Sequence, residues 1–378
     1  MGHPLRAVVI GAGFAGEGHT KALQWCGVEV AAICAREPDV VRAVADRLGV
    51  FEASTDWRET LGRVRPDIVA LATPASLRGD VIEAAAALGA HLYSEKPLAA
   101  DATEAQRLYR LVDLAGIKHA LAATHRYDPS VAWIAELLRE GAIGTLLDVE
   151  CSFSFFLSPL SPWTWFSTVA TGGGFAGQFP HILGILSAIV GGEVRRVAGE
   201  AERGRDRAPV VPGIHDIREV RGKTPTPEEA ARLEWRAVDI ETRCSALMRF
   251  GSPFGRAGEI AISLACNFDV SACWPPHGMR LHGTAGTIVA EGYGEYEVSL
   301  LSDAGGEREA LVVPQRLVDA VPQVGTSVQN KWAALAREFL ADIRGEPHQP
   351  YLTFYDGWRY QEVFDAVRSG SGWCQIPT

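Results

Sequence analysis

The feature that most constrains the fold is the glycine spacing of GAGFAG, in which Gly11, Gly13 and Gly16 follow the apolar run RAVVI and precede an alanine-rich stretch. In a strand–turn–helix unit of this kind the first glycine permits a tight turn, the second lets the backbone approach a diphosphate, and the third lets helix and strand pack closely. The backbone N–H groups of Phe14 and Ala15 would then face an anion at the helix N-terminus. The spacing predicts a dinucleotide-binding turn; the alternative is a glycine turn with no ligand.

Short apolar runs alternate with helix-compatible stretches through the first 124 residues. This alternation is typical of a doubly wound parallel sheet with crossover helices. The strand candidates are LRAVVI, VEVAAIC, DIVALA, AHLYS and KHALAA, and the helix candidates between them are 14–26, 39–48, 79–88 and 103–114. We therefore expect residues 1–124 to form a Rossmann domain of the α/β class.

Longer strand candidates without crossover helices dominate the second half, and such a pattern favours an antiparallel sheet. They lie at 148–156, 239–250, 259–267 and 286–290, with helix candidates at 130–139, 175–190 and 328–343. We expect an α+β domain over 125–355, and a closing helix and tail over 356–378 that pack back on the first domain. Residues 200–236 include 16 charged residues and four prolines. This composition favours a solvated surface loop, with a lid or an oligomer arm as alternatives.

The composition argues against several classes of protein. With 36 Lys and Arg against 46 Asp and Glu, the net charge is −10, which opposes binding to nucleic acid. No apolar run approaches the roughly 20 residues of a membrane span, and no signal peptide is visible. Seven cysteines without a CxxC pair indicate buried, reduced thiols in a cytoplasmic protein. Neither they nor the ten histidines have the spacing of a metal site.

The end of the second strand candidate bears on the choice of cofactor. A site for NAD usually places Asp or Glu there against the ribose, whereas this chain has Cys34, Ala35, Arg36 and Glu37. Arg36 is available to a 2′-phosphate, so NADP is favoured over NAD. Glu37 keeps NAD open, because a strand that ended two residues later would make Glu37 the ribose acid.

Two further motifs, TPASL and SEKPLA, lie at the carboxyl ends of strand candidates, where open α/β sheets bind ligands. They complete a combination of motifs that resembles the Gfo/Idh/MocA oxidoreductase family over nearly the whole chain. The motifs of this combination are GAGFAG with His19, TPASL at 73–77, SEKPLA at 94–99, HRYDP at 125–129, GGG at 172–174 with His181, and HGTAG at 282–286. The resemblance implies a Rossmann domain that holds NAD or NADP and an open-faced, mostly antiparallel sheet that closes the substrate site and often forms the subunit interface.

The resemblance also implies roles for individual residues. Lys96 of the EKP motif would lie beside the nicotinamide and the substrate hydroxyl, where a fixed ammonium stabilises the alkoxide that develops as hydride leaves. Glu95 and Pro97 would shape this turn. The residues expected to contact the cofactor are Gly11, Gly13, Phe14, Ala15, Gly16, Arg36, Thr73, Pro74, Leu77, Glu95 and Lys96.

The helix after GGG carries the candidate acid–base group. Family members commonly place an Asp and a His four residues apart there, with the His as general base. In this chain Gln178 aligns with the Asp and His181 follows at a spacing of three, which still keeps both on one helical face. His181 has a side chain suited to taking or returning a proton, whereas Gln178 can only bind substrate or orient His181. A core histidine is the alternative for His181.

Aromatic residues are dense just before GGG, and flat rings suit a carbohydrate or cyclitol face. Trp163 and Trp165, in a proline-bounded loop, are candidates to reach the substrate or to pack in the core. Arg126, at the carboxyl end of KHALAA, can bind an anionic or polyhydroxylated substrate. His277 is a further polar candidate.

We therefore expect an NAD(P)-dependent oxidoreductase that acts on a secondary alcohol or ketone of a sugar, glycoside or cyclitol, with Lys96 and His181 as catalytic residues. Lys96, Arg126, Trp163, Trp165, Gln178 and His181 are its candidate substrate contacts. One alternative is a redox-neutral glycosidase or lyase that uses transient oxidation, and another is a non-catalytic dinucleotide-binding regulator. A homodimer or homotetramer is expected from the resemblance and from the exposed sheet.

Overall fold

A six-stranded parallel sheet forms the first half of the molecule. The structure, a computed structural model, describes residues 4–214, 216–269, 277–302 and 307–377. The strands of this sheet are β1 Arg6–Ile10, β2 Glu29–Cys34, β3 Glu52–Ser54, β4 Ile68–Leu71, β5 His91–Ser94 and β6 His119–Leu121. Their order in the sheet is β3-β2-β1-β4-β5-β6 and all adjacent pairs are parallel, so the Rossmann prediction is confirmed.

Helices cover both faces of this sheet. They are α1 Phe14–Trp25, α2 Pro38–Leu48, α3 Trp57–Val64, α4 Gly79–Ala87 and α5 Ala102–Leu114. Neither β3 nor α3 was predicted from the sequence. Strand β3 has only three residues, all half-buried, and α3 is a short helix whose start is marked by Asp56, which accepts hydrogen bonds from the backbone N–H groups of Arg58 and Glu59.

A nine-stranded sheet forms most of the second half. Its strands are β7 Leu146–Ser154, β8 Val194–Glu202, β11 Arg243–Gly251, β12 Glu259–Asn267, β13 Gly278–Gly283, β14 Gly286–Gly292, β15 Tyr296–Ser302, β16 Glu309–Leu311 and β17 Cys374–Gln375. The order is β16-β15-β14-β13-β7-β12-β11-β8-β17. Strands β7 and β12 pair in parallel and the other pairs are antiparallel, so the prediction of a mostly antiparallel sheet is confirmed.

Helix α6 Pro129–Arg139 lies between the two sheets in the chain, and α7 Phe175–Val190 lies between β7 and β8. Helices α9 Gln315–Asp319, α10 Ser327–Ile343 and α11 Phe354–Ser369 follow the last long strands. Helix α10 packs on α1, where a Cβ at Gly18 would come within 2.1 Å of the Trp332 ring. This helix was predicted inside the second domain, yet its apolar side chains join the core under the parallel sheet. The division at residues 124 and 355 remains a prediction.

Helix α11 contacts both halves. The carboxylate of Asp365 accepts a hydrogen bond from the backbone N–H of Ala102, at the start of α5, with a distance of 2.7 Å. The Arg368 guanidinium pairs with Glu241, just before β11, at 2.6 Å. These contacts hold the end of the chain against the Rossmann half and against the second sheet at once.

The charged segment 200–236 has structure of its own. A two-stranded ribbon pairs β9 Arg207–Pro209 with β10 Trp235–Ala237, and the short helix α8 Pro227–Ala230 lies between them in the chain. Two 3₁₀ turns, Ile217–Glu219 and Arg221–Lys223, precede α8, and Asp216, just before the first of them, reaches the glycine-rich turn of the Rossmann half. Among the described helices, none combines the length and apolarity needed to cross a membrane.

Candidate active site

The glycine-rich turn between β1 and α1 has no room for side chains. Gly11 has a φ of 117°, and a Cβ on it would lie 2.5 Å from the carbonyl oxygen of Ala72. A Cβ on Gly16 would lie 1.9 Å from the carbonyl oxygen of Gly11. The turn therefore requires glycine for its backbone and for the close packing of α1 on β1, as the spacing predicts.

The start of α1 suits the diphosphate of a dinucleotide. Gly13 is the N-cap residue and makes no side-chain cap, so the first N–H groups of the helix are left to other acceptors. The N–H of Phe14 donates to Oδ2 of Asp216 at 2.7 Å, and a Cβ on Gly13 would lie 3.3 Å from the same oxygen. A carboxylate oxygen of Asp216 thus already lies at the N-terminus of α1, which shows that the N–H groups there can bind an anion.

Strand β2 ends at Cys34, as the sequence analysis assumed. Ala35 is half-buried, and Arg36 and Glu37 are exposed. Positions 34 and 35 therefore lack the acid that would hold an adenosine ribose at the end of the strand. The side chain of Arg36 is accessible to a ligand.

The TPASL turn follows β4 and lies beside the EKP turn. Thr73 has a buried hydroxyl without a partner among the described residues, Pro74 is half-buried, and Leu77 is half exposed. The buried Arg78 joins the two turns by donating to the carbonyl oxygens of Thr73, at 3.0 Å, and of Glu95, at 2.5 Å. Burial lowers the pKa of Arg78 to about 10, and the charge of Glu95 opposes this shift.

Glu95 fixes the surroundings of Lys96. Its Oε1 accepts a hydrogen bond from Trp332 Nε1 at 3.0 Å and lies 3.1 Å from His19 Nε2, while its Oε2 lies 3.8 Å from Lys96 Nζ. Burial would raise the pKa of Glu95, but the His19 hydrogen bond and the Lys96 charge lower it to about 2. Burial lowers the pKa of Lys96 from its ordinary value, which Glu95 opposes and Arg78 reinforces.

The GGG turn brings α7 against the EKP turn. A Cβ on Gly172 would lie 2.6 Å from Cγ of Pro97, and a Cβ on Gly174 would lie 2.7 Å from Cβ of Ile240. Gly172 and Gly174 have φ values of 81° and 62°. The three glycines therefore allow the chain to pass between Pro97 and Ile240 before it enters the helix that carries Gln178 and His181.

His181 lies beside a second imidazole, that of His125. Their ring centroids are 4.1 Å apart, and Nδ1 of each ring is buried without a hydrogen-bond partner within the described part of the chain. Burial, followed by the charges of His125, Lys96 and Lys331, holds the pKa of His181 well below its ordinary value of 6.5. Burial and the charges of Lys331 and Lys96 lower the pKa of His125 to about 3. Both imidazoles are therefore neutral at neutral pH.

Tyr293 orients Gln178. Its hydroxyl donates to Oε1 of Gln178 at 3.0 Å, and its ring meets that of His125 edge-on at 5.1 Å. The next residue, Gly294, has a φ of 72°, and a Cβ there would lie 2.6 Å from His125 Nδ1. Glycine at this position therefore lets the chain pass close to the His125 ring. With its oxygen engaged, the Gln178 amide can present its NH₂ group as a donor.

The structure does not join every predicted substrate residue to this cluster. The Trp163 Nε1 donates to the carbonyl oxygen of Ala237, and its ring packs with Ala208, Val238 and Ile240 in a small separate core. Trp165 is 42% exposed and meets Phe166 edge-on. The charge of Arg126 acts on Asp356 and Tyr360 of α11. His277 Nδ1 accepts the backbone N–H of Ser154, and its ring stacks on Phe155.

Within the ranges that the structure describes, no cluster of His, Cys, Asp and Glu is arranged to hold a metal ion. The cysteines described include Cys26 and Cys374, which are half-buried rather than enclosed. Cys273 lies outside the described residues.

Two family models match the chain. One, described as an oxidoreductase family with an NAD-binding Rossmann fold, matches residues 5–121, and the other, the C-terminal domain of the same family, matches residues 131–289. The chain belongs to the Gfo/Idh/MocA family. It is therefore an oxidoreductase that binds a nicotinamide dinucleotide, and the family resemblance, the fold and the expectation of an enzyme are confirmed.

Relatives of known name include enzymes that act on sugars and cyclitols. Levoglucosan dehydrogenase of Pseudarthrobacter phenanthrenivorans is 28% identical over 409 aligned residues, which cover 99% of this chain and 98% of the relative. The NAD⁺-dependent scyllo-inositol 2-dehydrogenase of Bacillus subtilis is 32% identical over 146 residues, 38% of this chain and 43% of the relative. A solved structure of levoglucosan dehydrogenase with NADH and levoglucosan has the same fold, with a TM-score of 0.80 at 21% identity and full coverage of both chains.

Several residues that complete the site of this Gfo/Idh/MocA chain were not predicted from its sequence. Tyr293 and Trp332 were not considered, and His125 was considered only as part of the HRYDP motif. Asp216 lay in a segment treated as a surface loop. Only His125 had a sequence signal, since it ends a strand candidate at the edge where ligands bind.

Proposed function

We propose that this enzyme is a dehydrogenase or reductase for a secondary alcohol or ketone of a sugar, glycoside or cyclitol. The observation that carries the proposal is the convergence of Lys96 and His181, one from each half of the molecule. The EKP turn and the GGG turn are in contact, and the charge of Lys96 acts on the pKa of His181. A general base and an alkoxide-stabilising cation are the two groups that this chemistry requires.

The proposed roles follow from these surroundings. When bound, the nicotinamide supplies the hydride acceptor for oxidation or the hydride donor for reduction. The glycine-rich turn, the TPASL turn and the EKP turn would hold it at the carboxyl edge of the parallel sheet. The neutral His181 takes the proton of the substrate hydroxyl, while the Lys96 ammonium, held by Glu95, stabilises the negative charge that develops on the oxygen.

The substrate class is supported by the polarity of the site. Gln178, Tyr293 and the two imidazoles offer neutral hydrogen-bonding groups beside apolar rings, which suits a polyhydroxylated, uncharged substrate. The names of the relatives, levoglucosan dehydrogenase and scyllo-inositol 2-dehydrogenase, support the same class. Arg126 and the tryptophans 163 and 165 remain proposed outer contacts.

The cofactor is proposed to be NADP, with NAD as the alternative. The supporting observation is that strand β2 ends at Cys34 with the exposed Arg36 two residues later. The Arg36→Ala variant is expected to raise the KM for NADP about tenfold and to leave the KM for NAD within about twofold, since only the 2′-phosphate contact is lost.

The experiment that tests the function is the absorbance of reduced nicotinamide during incubation with sugars, glycosides and cyclitols, with NAD and NADP separately. Wild type is compared with Lys96→Ala, His181→Ala and the control Lys118→Ala, which removes a surface lysine. Substrate-dependent reduction that is lost in the first two variants and kept in the control supports the proposal. Product release without net cofactor reduction would instead indicate the redox-neutral lyase.

We also propose a homo-oligomer in which the face of the second sheet is the interface. Leu147 of β7 and Leu247 of β11 are 43% and 55% exposed, and β12 lies between their strands in the sheet. Size-exclusion chromatography with light scattering is expected to give a dimer or tetramer, and a monomer at micromolar concentration would contradict it.

A further inference from the structure

The segment 216–223 reaches across the molecule to the glycine-rich turn. Its Asp216 carboxylate accepts the N–H of Phe14, a residue 202 positions earlier, at 2.7 Å. This N–H is one of the donors at the start of α1 that a bound diphosphate would use. A Cβ on Gly13 would lie 3.3 Å from the same carboxylate oxygen, so Asp216 sits directly over the second glycine of the motif.

A second contact holds the segment in place. The Arg218 guanidinium lies 2.8 Å from Oε1 of Glu17, in the first turn of α1, and 5.4 Å from the centre of the Phe14 ring. It also pairs with Asp216 at 2.7 Å. Asp216 and Arg218 thus form one unit that covers the N-terminus of α1 from the side of the second domain.

We infer that Asp216 competes with the dinucleotide for the N-terminus of α1, so that the segment 216–223 must withdraw before the diphosphate binds. This regulation of the site rests on the function proposed above. Two anions cannot share the Phe14 N–H and the positive end of the helix dipole, because each would lie within direct repulsion of the other. Asp216 therefore acts as an internal substitute for the diphosphate in the free enzyme.

The withdrawal leaves no buried charge unpaired. Glu17 is only 6% exposed, but it also pairs with Arg47 of α2, so it keeps a cationic partner when Arg218 leaves. The Arg218 side chain is 46% exposed and returns to water at little cost. The contact is therefore weak enough to be displaced, and its expected effect is a few-fold reduction of cofactor affinity rather than a block.

Isothermal titration calorimetry of the free enzyme tests this inference. Wild type, Asp216→Ala, Asp216→Asn and the control Glu228→Ala, which removes an exposed acid from the same charged segment, are titrated with NADH, NADPH, ADP-ribose and adenosine. We expect Asp216→Ala to bind the three diphosphate ligands about fivefold more tightly than wild type. Asp216→Asn should gain less, because its amide oxygen still accepts the Phe14 N–H. Adenosine, which has no diphosphate, should bind all four proteins alike, and Glu228→Ala should match wild type.

Unchanged or weaker binding of the diphosphate ligands by Asp216→Ala would overturn the inference. If wild type still reduces a nicotinamide cofactor with sugars in that case, the proposed function stands and only the competition fails. If neither wild type nor Asp216→Ala binds any diphosphate ligand, both fail. Tighter binding of adenosine by Asp216→Ala would also overturn the inference, because the gain would then not come from the diphosphate position.

Discussion

The two sides of the active site are built from different parts of the chain. The cofactor side consists of backbone: glycines 11 and 16 leave no room for a Cβ, and the first donors of α1 are main-chain N–H groups. The proton-transfer side consists of side chains, with the buried His181 against the half-buried His125, and Gln178 held by Tyr293. We therefore expect substitutions that add a side chain to impair the cofactor side, and substitutions that remove a side-chain group to impair the proton-transfer side.

The largest effect is expected on the proton-transfer side. His181→Ala should lower kcat about a thousandfold, because the base that takes the hydroxyl proton is lost. Steady-state kinetics of cofactor reduction measures this effect. The control is His348→Ala, in the loop after α10, which should retain wild-type kcat. A His181→Ala variant within tenfold of wild type would remove His181 from the mechanism.

The pH dependence of wild type sharpens the same point. A base must be unprotonated to act, and the pKa of His181 lies well below 6.5 because of burial and the cations around it. A base with a lowered pKa stays active as the pH falls, and its activity is lost only when the pH falls through that lowered value. The kcat/KM for alcohol oxidation should therefore show no acid limb from His181 above about pH 6.5. An acid limb with its midpoint above that value, absent in His181→Ala, would contradict this account.

An intermediate effect is expected when an atom is added on the cofactor side. Gly13 has a φ of −84°, which alanine adopts without strain, so Gly13→Ala should fold normally and bind the cofactor about tenfold more weakly. Gly16→Ala places a Cβ 1.9 Å from a carbonyl oxygen and should lower the free energy of unfolding by about 2 kcal/mol or more. Calorimetric titration and thermal unfolding separate the two outcomes. An equal loss of stability in both variants would contradict the view that Gly13 serves cofactor binding and Gly16 serves packing.

The smallest effect is expected at Tyr293. Tyr293→Phe removes the hydrogen bond to Gln178 and should raise the KM for the sugar about fivefold, with kcat changed less than about twofold, since one such bond contributes about 1 kcal/mol. The matched control is Tyr127→Phe, because the Tyr127 hydroxyl is buried without a partner in the described ranges. An equal change in both variants would show that the Gln178 contact is not responsible.

The contrast between the two sides also explains what could be predicted from the sequence. The glycine turns, TPASL and EKP are short, contiguous motifs, and each is required by local backbone geometry, so they could be located without a structure. The hydrogen bonds that complete the site join residues 115 positions apart for Tyr293 and Gln178, 202 for Phe14 and Asp216, and 237 for Glu95 and Trp332. Such pairs leave no periodic pattern, because their spacing is set by how the two halves pack.

The helices and strands show the same difference between local patterns, which could be predicted, and long-range packing, which could not. Helix α7 was predicted with the bounds that the structure has, since its apolar run is long and begins after GGG. Strand β3 has three half-buried residues and no apolar alternation, so it could not be distinguished from a loop. The placement of α10 on the Rossmann half depends on Trp332 fitting against Gly18, a contact that its own amphipathic pattern does not specify.

Transfer of deuterium tests the central claim most directly. The enzyme is incubated with a sugar or cyclitol that it accepts and that carries deuterium on every carbon. The nicotinamide cofactor is then recovered, and its deuterium content is measured by mass spectrometry. We expect one reduced nicotinamide carrying one deuterium for each ketone formed, and far less of both products in the same time when Lys96→Ala or His181→Ala replaces wild type. Conversion of the substrate with an unlabelled, oxidised cofactor would contradict it and would place this chain among redox-neutral enzymes of the same fold.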